Sequence, residues 1–383
     1  MPYVRFLDGL RCLSVAWVIL HHLPFEKTGA LGLLSGRGWM GVDMFFVISG
    51  FLITGILLNE RRSAGAINLK NFYIRRALRI WPAYYLLICC YLLVGVLVSI
   101  FGVPGLIATA QQIFHTVQWA ATYTSNAYIA FANTEDITIS HSWSLALEEQ
   151  FYLLWPLLLA TGVTIATRTA IVAIVAMTAW RVWLTLHYPE GALAMRRIYF
   201  APDTRMDVIL YGALLALALS SDRWKPRLRR LLSLPGTPIG LMTALLVVMY
   251  FANRWSGFFG NSFGYGCSAL LMSLTLGYLF LARPPFVLRA LENQHVVACG
   301  RISYGMYLYH AGVINILLYM RGMPTTWSAK LVFTALTYTI TIGVAALSYR
   351  YFESPLLKLK SRFSAGAAAA PATAPVNTAG AAL

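Results

Sequence analysis

Long apolar stretches separated by short polar ones recur along nearly the whole chain. The runs 12–23, 86–101 and 268–281 contain no Asp, Glu, Lys or Arg. The charge-poor stretches around them approach the roughly 20 residues that cross a bilayer's hydrocarbon as a helix. The pattern predicts spans at about 8–27, 39–59, 79–101, 146–166, 169–187, 206–221, 237–253, 261–282, 301–320 and 330–350. The expected fold is therefore all-α, a polytopic transmembrane helical bundle of about 10 spans. The segment 102–143 is long and only moderately polar, and an interfacial or re-entrant helix near 107–119 leaves nine to eleven spans open.

Composition strengthens this picture. Of 383 residues, 58% are hydrophobic and 11% charged, with a mean hydropathy of +0.65. Soluble domains carry about 25% charged residues, so this chain has too little charge to cover a water-facing surface. The formal net charge of +16 raises nucleic acid as a partner. The basic residues lie between apolar runs rather than in one patch, which argues against it and fits the bias of Lys and Arg toward cytoplasmic loops. With the N-terminus inside, 21 of the 30 basic residues fall on the cytoplasmic side, and 102–143 has none. Both termini are expected there. The first apolar run is followed by no small-x-small cleavage site and by further spans, so it is expected to be retained. One domain, 1–360, is expected, with no internal repeat. From 361 to 383 Ala, Pro, Gly and Thr dominate, a composition that cannot build a core and is expected to be disordered. The five cysteines show neither metal spacing nor a paired framework, and no metal site is expected.

Ionisable groups inside spans are costly and are candidates for function. Arg11 and His22 are eleven residues apart, about three helical turns, which places them on one face roughly 16 Å apart. The plainer alternative is a snorkelling arginine and an interfacial histidine. Asp43 enters an apolar helix near its outer end, where it could equally cap that helix. Gly41 and Gly50 suit close helix packing better than chemistry. Arg75, Arg76 and Arg79 cluster at the start of the third span, as a topology signal or as a grip for a polyanion, since Arg forks match phosphate. Glu148 and Glu149 lead into another apolar helix, and one of these adjacent residues is expected to face the bundle. Arg205 and Asp207 open the sixth span, and His310 lies within the ninth. The topology puts His22, Asp43, Glu148, Arg205 and Asp207 in the same outer half. That suggests one site in which a neutral His takes a proton from a hydroxyl while a carboxylate orients its ring.

These blocks, in this order, resemble the acyltransferase 3 family of integral membrane acyltransferases. The likeness rests on Leu7-Asp8-Gly9-Leu10-Arg11 with His22 (Arg-x10-His), on 41–53, on Arg75-Arg76-x-x-Arg79-Ile80-x-Pro82, and on 142–152, 203–212 and 303–310. It runs from about residue 3 to 360. The resemblance implies transfer of an acyl group, usually acetyl from acetyl-CoA, to a hydroxyl of an exopolysaccharide, lipopolysaccharide, oligosaccharide or macrolide-like glycoside at a bacterial inner membrane. It implies that His22 is the essential histidine, Arg11 its partner and Glu148 the acid, with Asp43 also expected at the catalytic centre. Arg75, Arg76 and Arg79 are expected to bind acyl-CoA as donor, with no permanently bound cofactor. Arg205, Asp207 and His310 are expected to bind substrate, Arg205 by stabilising the oxyanion. Some relatives carry a soluble hydrolase-like domain after the last span, whereas only low-complexity sequence follows here. Either the membrane domain acylates its acceptor directly or a separate extracytoplasmic protein completes transfer. Besides the carbohydrate acceptor, membrane lipid is the expected partner. The rival classes are a proton-coupled secondary transporter and a scaffold without chemistry.

Overall fold

The computed structural model describes residues 3–25, 32, 35–132, 138–188, 192–254 and 257–363. Residues 364–383, most of the expected low-complexity tail, lie outside that set. Among the described residues every element is helical. In chain order they are α1 (Arg5–His22), α2 (Trp39–Ala64), α3 (Leu69–Phe101), α4 (Ile107–Ala121), α5 (Ser125–Phe131), α6 (Ser142–Thr161) and α7 (Val163–His187). Then follow α8 (Ala192–Phe200), α9 (Pro202–Leu219), α10 (Trp224–Leu232), α11 (Thr237–Arg254) and α12 (Tyr265–Leu281), the last preceded by a π-helical turn over Gly260–Gly264. The chain continues through α13 (Pro285–Leu291), α14 (Gln294–Arg301), α15 (Ser303–Arg321) and α16 (Trp327–Ser348). A second π-helical turn (Tyr349–Glu353), α17 (Ser354–Lys358) and a 3-10 turn (Leu359–Phe363) follow.

Five stretches are long and apolar enough to cross a membrane: α2, α3, α7, Gly260–Leu281 and Trp327–Lys358. Counting the pair Ala194–Leu219 and Trp224–Leu232, bent by 107°, as one span gives six. The expected spans at 8–27, 146–166 and 301–320 exist as helices α1, α6 and α15, but polar residues dilute their apolar character. Arg5, Asp8 and Arg11 sit in α1, Glu148, Glu149 and Gln150 in α6, and His310 and Asn315 in α15. The count of about ten is therefore not fixed by length and composition. Exposed Leu, Ile and Val on α3, α7 and α16 (Leu93, Ile100, Val172, Val175, Leu331 and Leu347 among them) clothe the bundle in apolar side chains, the surface a lipid-facing helix needs.

Glycines set the closest crossings. A Cβ on Gly50 of α2 would lie 2.0 Å from the Ile209 carbonyl oxygen of α9, and one on Gly212 of α9 would lie 2.0 Å from the Val47 oxygen of α2. The two helices run parallel with their backbones in contact, as small residues allow in apolar surroundings. In the same way Gly41 lies against Ser14, and Gly38 against Trp17 and His21, which locks α2 antiparallel to α1. A third contact, Gly300 of α14 against the Asp8 carbonyl, fixes the opposite end of α1.

Candidate active site

The glycine crossing of α2 and α9 decides where two of the expected site residues go. Asp43 and Arg205 each precede their crossing glycine by seven residues, about two turns. That spacing brings them together: Arg205 Nη2 donates to Asp43 Oδ1 at 2.5 Å, and both side chains are fully buried. The guanidinium also lies 4.0 Å from the ring centroid of Tyr265 and 5.3 Å from that of Tyr199, with the attraction a cation has for an aromatic face. Beside it, Arg181 Nη2 donates to Asp207 Oδ2 at 2.7 Å, again with both side chains fully buried. Arg181 also donates to the carbonyls of Thr204 and Ser262. These two ion pairs join α2, α7 and α9, and the Tyr265 ring adds α12. The structure thus gives Asp43 an arginine as partner rather than a histidine. It places neither Arg205 nor Asp207 on the walls of the two cavities described below. Arg181 was not singled out in the sequence, although a lone Arg in an apolar span was the signal for it.

The first cavity is narrow, about 90 Å³, and is bordered by Arg11 of α1, Arg76 and Arg79 of α3, Arg301 of α14, and both Glu148 and Glu149 of α6. Glu148 accepts from Ser49 at 2.9 Å and from Tyr152 at 2.8 Å. Arg76 stacks 4.4 Å above the Tyr152 ring, with its Nε buried and unpartnered. Glu149 Oε1 is likewise buried without a partner among the described residues. Gln150, the third polar residue of the block, turns away and forms a reciprocal amide pair with Asn126 (3.1 and 2.9 Å). Arg75 stands outside the cavity and pairs with Glu60 at 2.8 Å. Its Nη1 reaches the Phe363 carbonyl at 2.5 Å, tying the 3-10 turn to α3. Close by, Lys360 of that turn is crowded by Arg79, Arg76 and Arg75; burial first, and then these arginines, push its amine down to about 8. Arg11 also meets Asp8, one turn earlier, at 3.2 Å.

The second cavity, about 240 Å³, opens at the other end of α1 among His21, His22, Trp39, His141, Trp143, Tyr199 and Phe200. His22 Nδ1 lies 2.9 Å from the Val18 carbonyl. A carbonyl only accepts, so Nδ1 carries the proton and Nε2 keeps the lone pair in the neutral ring. The ring packs edge-on against His310, centroids 4.9 Å apart, and His310 packs 5.5 Å from His141. The same reasoning assigns the other tautomers. His310 Nδ1 donates to the Tyr307 carbonyl (2.6 Å) and His141 Nε2 to the Leu308 carbonyl (3.1 Å). That leaves His310 Nε2 and His141 Nδ1 as buried acceptors with no described partner. His310 is wholly enclosed and meets the histidines rather than the cavity. Among the described residues no three His, Cys, Asp or Glu side chains are arranged to hold a metal ion.

Glu148 and His22, expected to act side by side, belong to different cavities. Val42 and Tyr307 line both, however, so one layer of side chains separates the arginine cavity from the histidine cavity. Tyr307 is held by its hydroxyl, which donates to the His141 carbonyl at 2.9 Å and lies 2.5 Å from Ser144 Oγ. His141 and Tyr307 were not singled out in the sequence. His141 directly precedes the 142–152 block, and nothing in its spacing set it apart.

A Staphylococcus aureus (strain COL) protein provisionally named an O-acetyltransferase is 31% identical over 383 aligned positions, covering 94% of this chain and 58% of that protein. The peptidoglycan O-acetyltransferase OatA of Listeria monocytogenes is 30% identical over 374 positions, covering 93% of this chain and 56% of its own length. The chain thus spans somewhat over half the length of these relatives. No solved structure matches it significantly. The family model described as an acyltransferase domain matches residues 4–350, and the chain belongs to the acyltransferase 3 family.

Proposed function

We propose that this protein is a multi-pass membrane O-acyltransferase that moves an acetyl group from acetyl-CoA to a hydroxyl of a carbohydrate acceptor. The observation that carries the reading is the pair of cavities with opposite chemistry that share a wall at Val42 and Tyr307. The names of the relatives support acetyl as the group and a glycan such as peptidoglycan as the acceptor. The arginine end faces the cytoplasm of a bacterial cell in this reading, with both termini, and the histidine end faces outward. This orientation agrees with the placement of most Lys and Arg. A distinct extracytoplasmic protein is not required, because the histidine cavity itself offers a base.

Arg76, Arg79 and Arg301 hold the donor's phosphates, with Arg75 at the margin, since guanidinium forks pair with phosphate oxygens. The slender acyl-bearing arm extends through this cavity past Arg11 and Glu148 and brings the thioester past Val42 and Tyr307 within reach of the histidine side. On the far side His22 Nε2 removes the proton of the acceptor hydroxyl as its oxygen attacks the thioester carbon. The new C–O bond forms and the C–S bond breaks. The proton passes from His22 to the departing thiolate, so donor and acceptor leave as coenzyme A and an ester. His310, packed on the His22 ring, fixes its orientation.

The test is transfer of label from [14C]acetyl-CoA to chitotetraose by purified protein in detergent. His22→Ala is expected to slow transfer about 10²- to 10⁴-fold, the usual contribution of a general base, with the unfolding temperature unchanged. Undiminished transfer by that variant would overturn the assignment of His22. Absence of donor turnover by the wild type would overturn the function.

A further inference from the structure

His141 is 96% buried, yet it borders the outer cavity with a ring nitrogen that nothing in the described protein satisfies. A buried polar atom without a partner costs about 1–3 kcal/mol, and such atoms in a native fold call for an explanation. The tautomer is set by the Leu308 carbonyl, so the free atom, Nδ1, is an acceptor. His22 borders the same cavity with its Nδ1 committed to the Val18 carbonyl, and in the proposed reaction it is the base that receives the proton of the reacting hydroxyl. Two imidazoles, one with an unsatisfied acceptor, therefore border one space that Trp39, Trp143, Tyr199 and Phe200 wall with aromatic faces.

An acceptor needs a donor, and a hydroxyl, the group an O-acyltransferase acceptor carries, donates without bringing a charge into a buried site. We infer that His141 is an acceptor-binding residue: it takes a hydrogen bond from one hydroxyl of a polyol substrate while His22 takes the proton of another. The site then recognises a molecule with at least two free hydroxyls, flanked by an apolar C–H face that lies on the aromatic walls. A sugar ring has that form and a simple alcohol does not. The inference rests on the acyltransferase reading and adds to it a residue and a requirement. The hydroxyl bound by His141 stays protonated and is not acylated, so the pairing also selects which hydroxyl reacts.

The experiment measures transfer from [14C]acetyl-CoA to chitotetraose by the full chain, wild type against His141→Ala and His141→Asn. The asparagine oxygen can occupy nearly the position of Nδ1 and restore an acceptor there. His141→Ala is expected to raise the KM for chitotetraose about tenfold, the scale of one lost hydrogen bond, and to leave the KM for acetyl-CoA unaltered. His141→Asn is expected to recover most of the loss. An unchanged chitotetraose KM in His141→Ala would overturn the inference and leave the function standing. So would equal losses toward both substrates that asparagine does not rescue, the mark of a structural role. If the wild type moves no label to chitotetraose, the glycan reading falls and this inference falls with it.

Discussion

Two groups of charges are set into these apolar helices, and they are built on opposite plans. Around Asp43, Arg205, Arg181 and Asp207 each charge meets its opposite, and all four side chains are sealed from solvent. Around Arg11, Arg76, Arg79, Glu148 and Glu149 the charges border a cavity; buried polar atoms without a described partner occur in both groups, on Arg76 and Glu149 here and on Arg205 and Asp207 there. An ionisable residue within a span marks either kind equally well. The difference lies in what faces it. Closed pairs tie helices together, whereas the charges that border the cavity are the ones proposed above to meet a ligand.

The sharpest way to break that contrast is to remove one member of a closed pair. Asp43→Ala leaves Arg205 buried without its carboxylate and is expected to destabilise the protein by about 3–5 kcal/mol, read as a lower midpoint of thermal unfolding in detergent. Replacing both residues, as in Asp43→Leu with Arg205→Met, is expected to recover most of that loss. If the single variant melts like the wild type, the pair is not a structural tie. In the open group, Arg76→Gln should do the reverse. Loss of a charged hydrogen bond costs about 1.5–3 kcal/mol, so acetyl-CoA binding by calorimetry should weaken about 10- to 100-fold with little change in melting. Gly50→Ala, which forces a methyl group onto the Ile209 carbonyl, should cost about 1–3 kcal/mol by overpacking and also disturb the Asp43–Arg205 register. The smallest effect concerns pH. The Lys360 amine, held near 8 against an ordinary 10.5 by burial and the neighbouring arginines, binds its proton less readily in the folded protein than in the unfolded chain. Stability should therefore rise slightly as pH climbs from about 8 toward 10.5, and Lys360→Met should flatten that rise.

Much of this was legible in the sequence. Apolar runs located the helices, and Gly41 and Gly50 were correctly read as packing positions, because a residue without a side chain in an apolar helix has few other uses. The order of the short blocks pointed to the family. Position along each helix was legible, since helical rise converts residue number into height. Partnership was not. Asp43, Glu148 and Arg205 were expected to share one half with His22, yet Glu148 borders the arginine cavity, and the Gly50–Gly212 crossing sets Asp43 against Arg205; no local pattern encodes either placement. His141 escaped notice for a related reason. Its ring is oriented by the Leu308 carbonyl of α15, 167 residues later in the chain, and a single imidazole ahead of a helix resembles any other. The span count stayed open because the helices that build the cavities gave up apolar residues to do so.

The wall shared by Val42 and Tyr307 has a consequence for the cell's permeability barrier. Coenzyme A is a polyanion, and carrying it across hydrocarbon would cost far more than an ester bond returns. With one layer of side chains between the two chambers, a coenzyme A donor bound as proposed above would not need to leave its compartment. In the proposed reaction only a neutral fragment of two carbons would change sides.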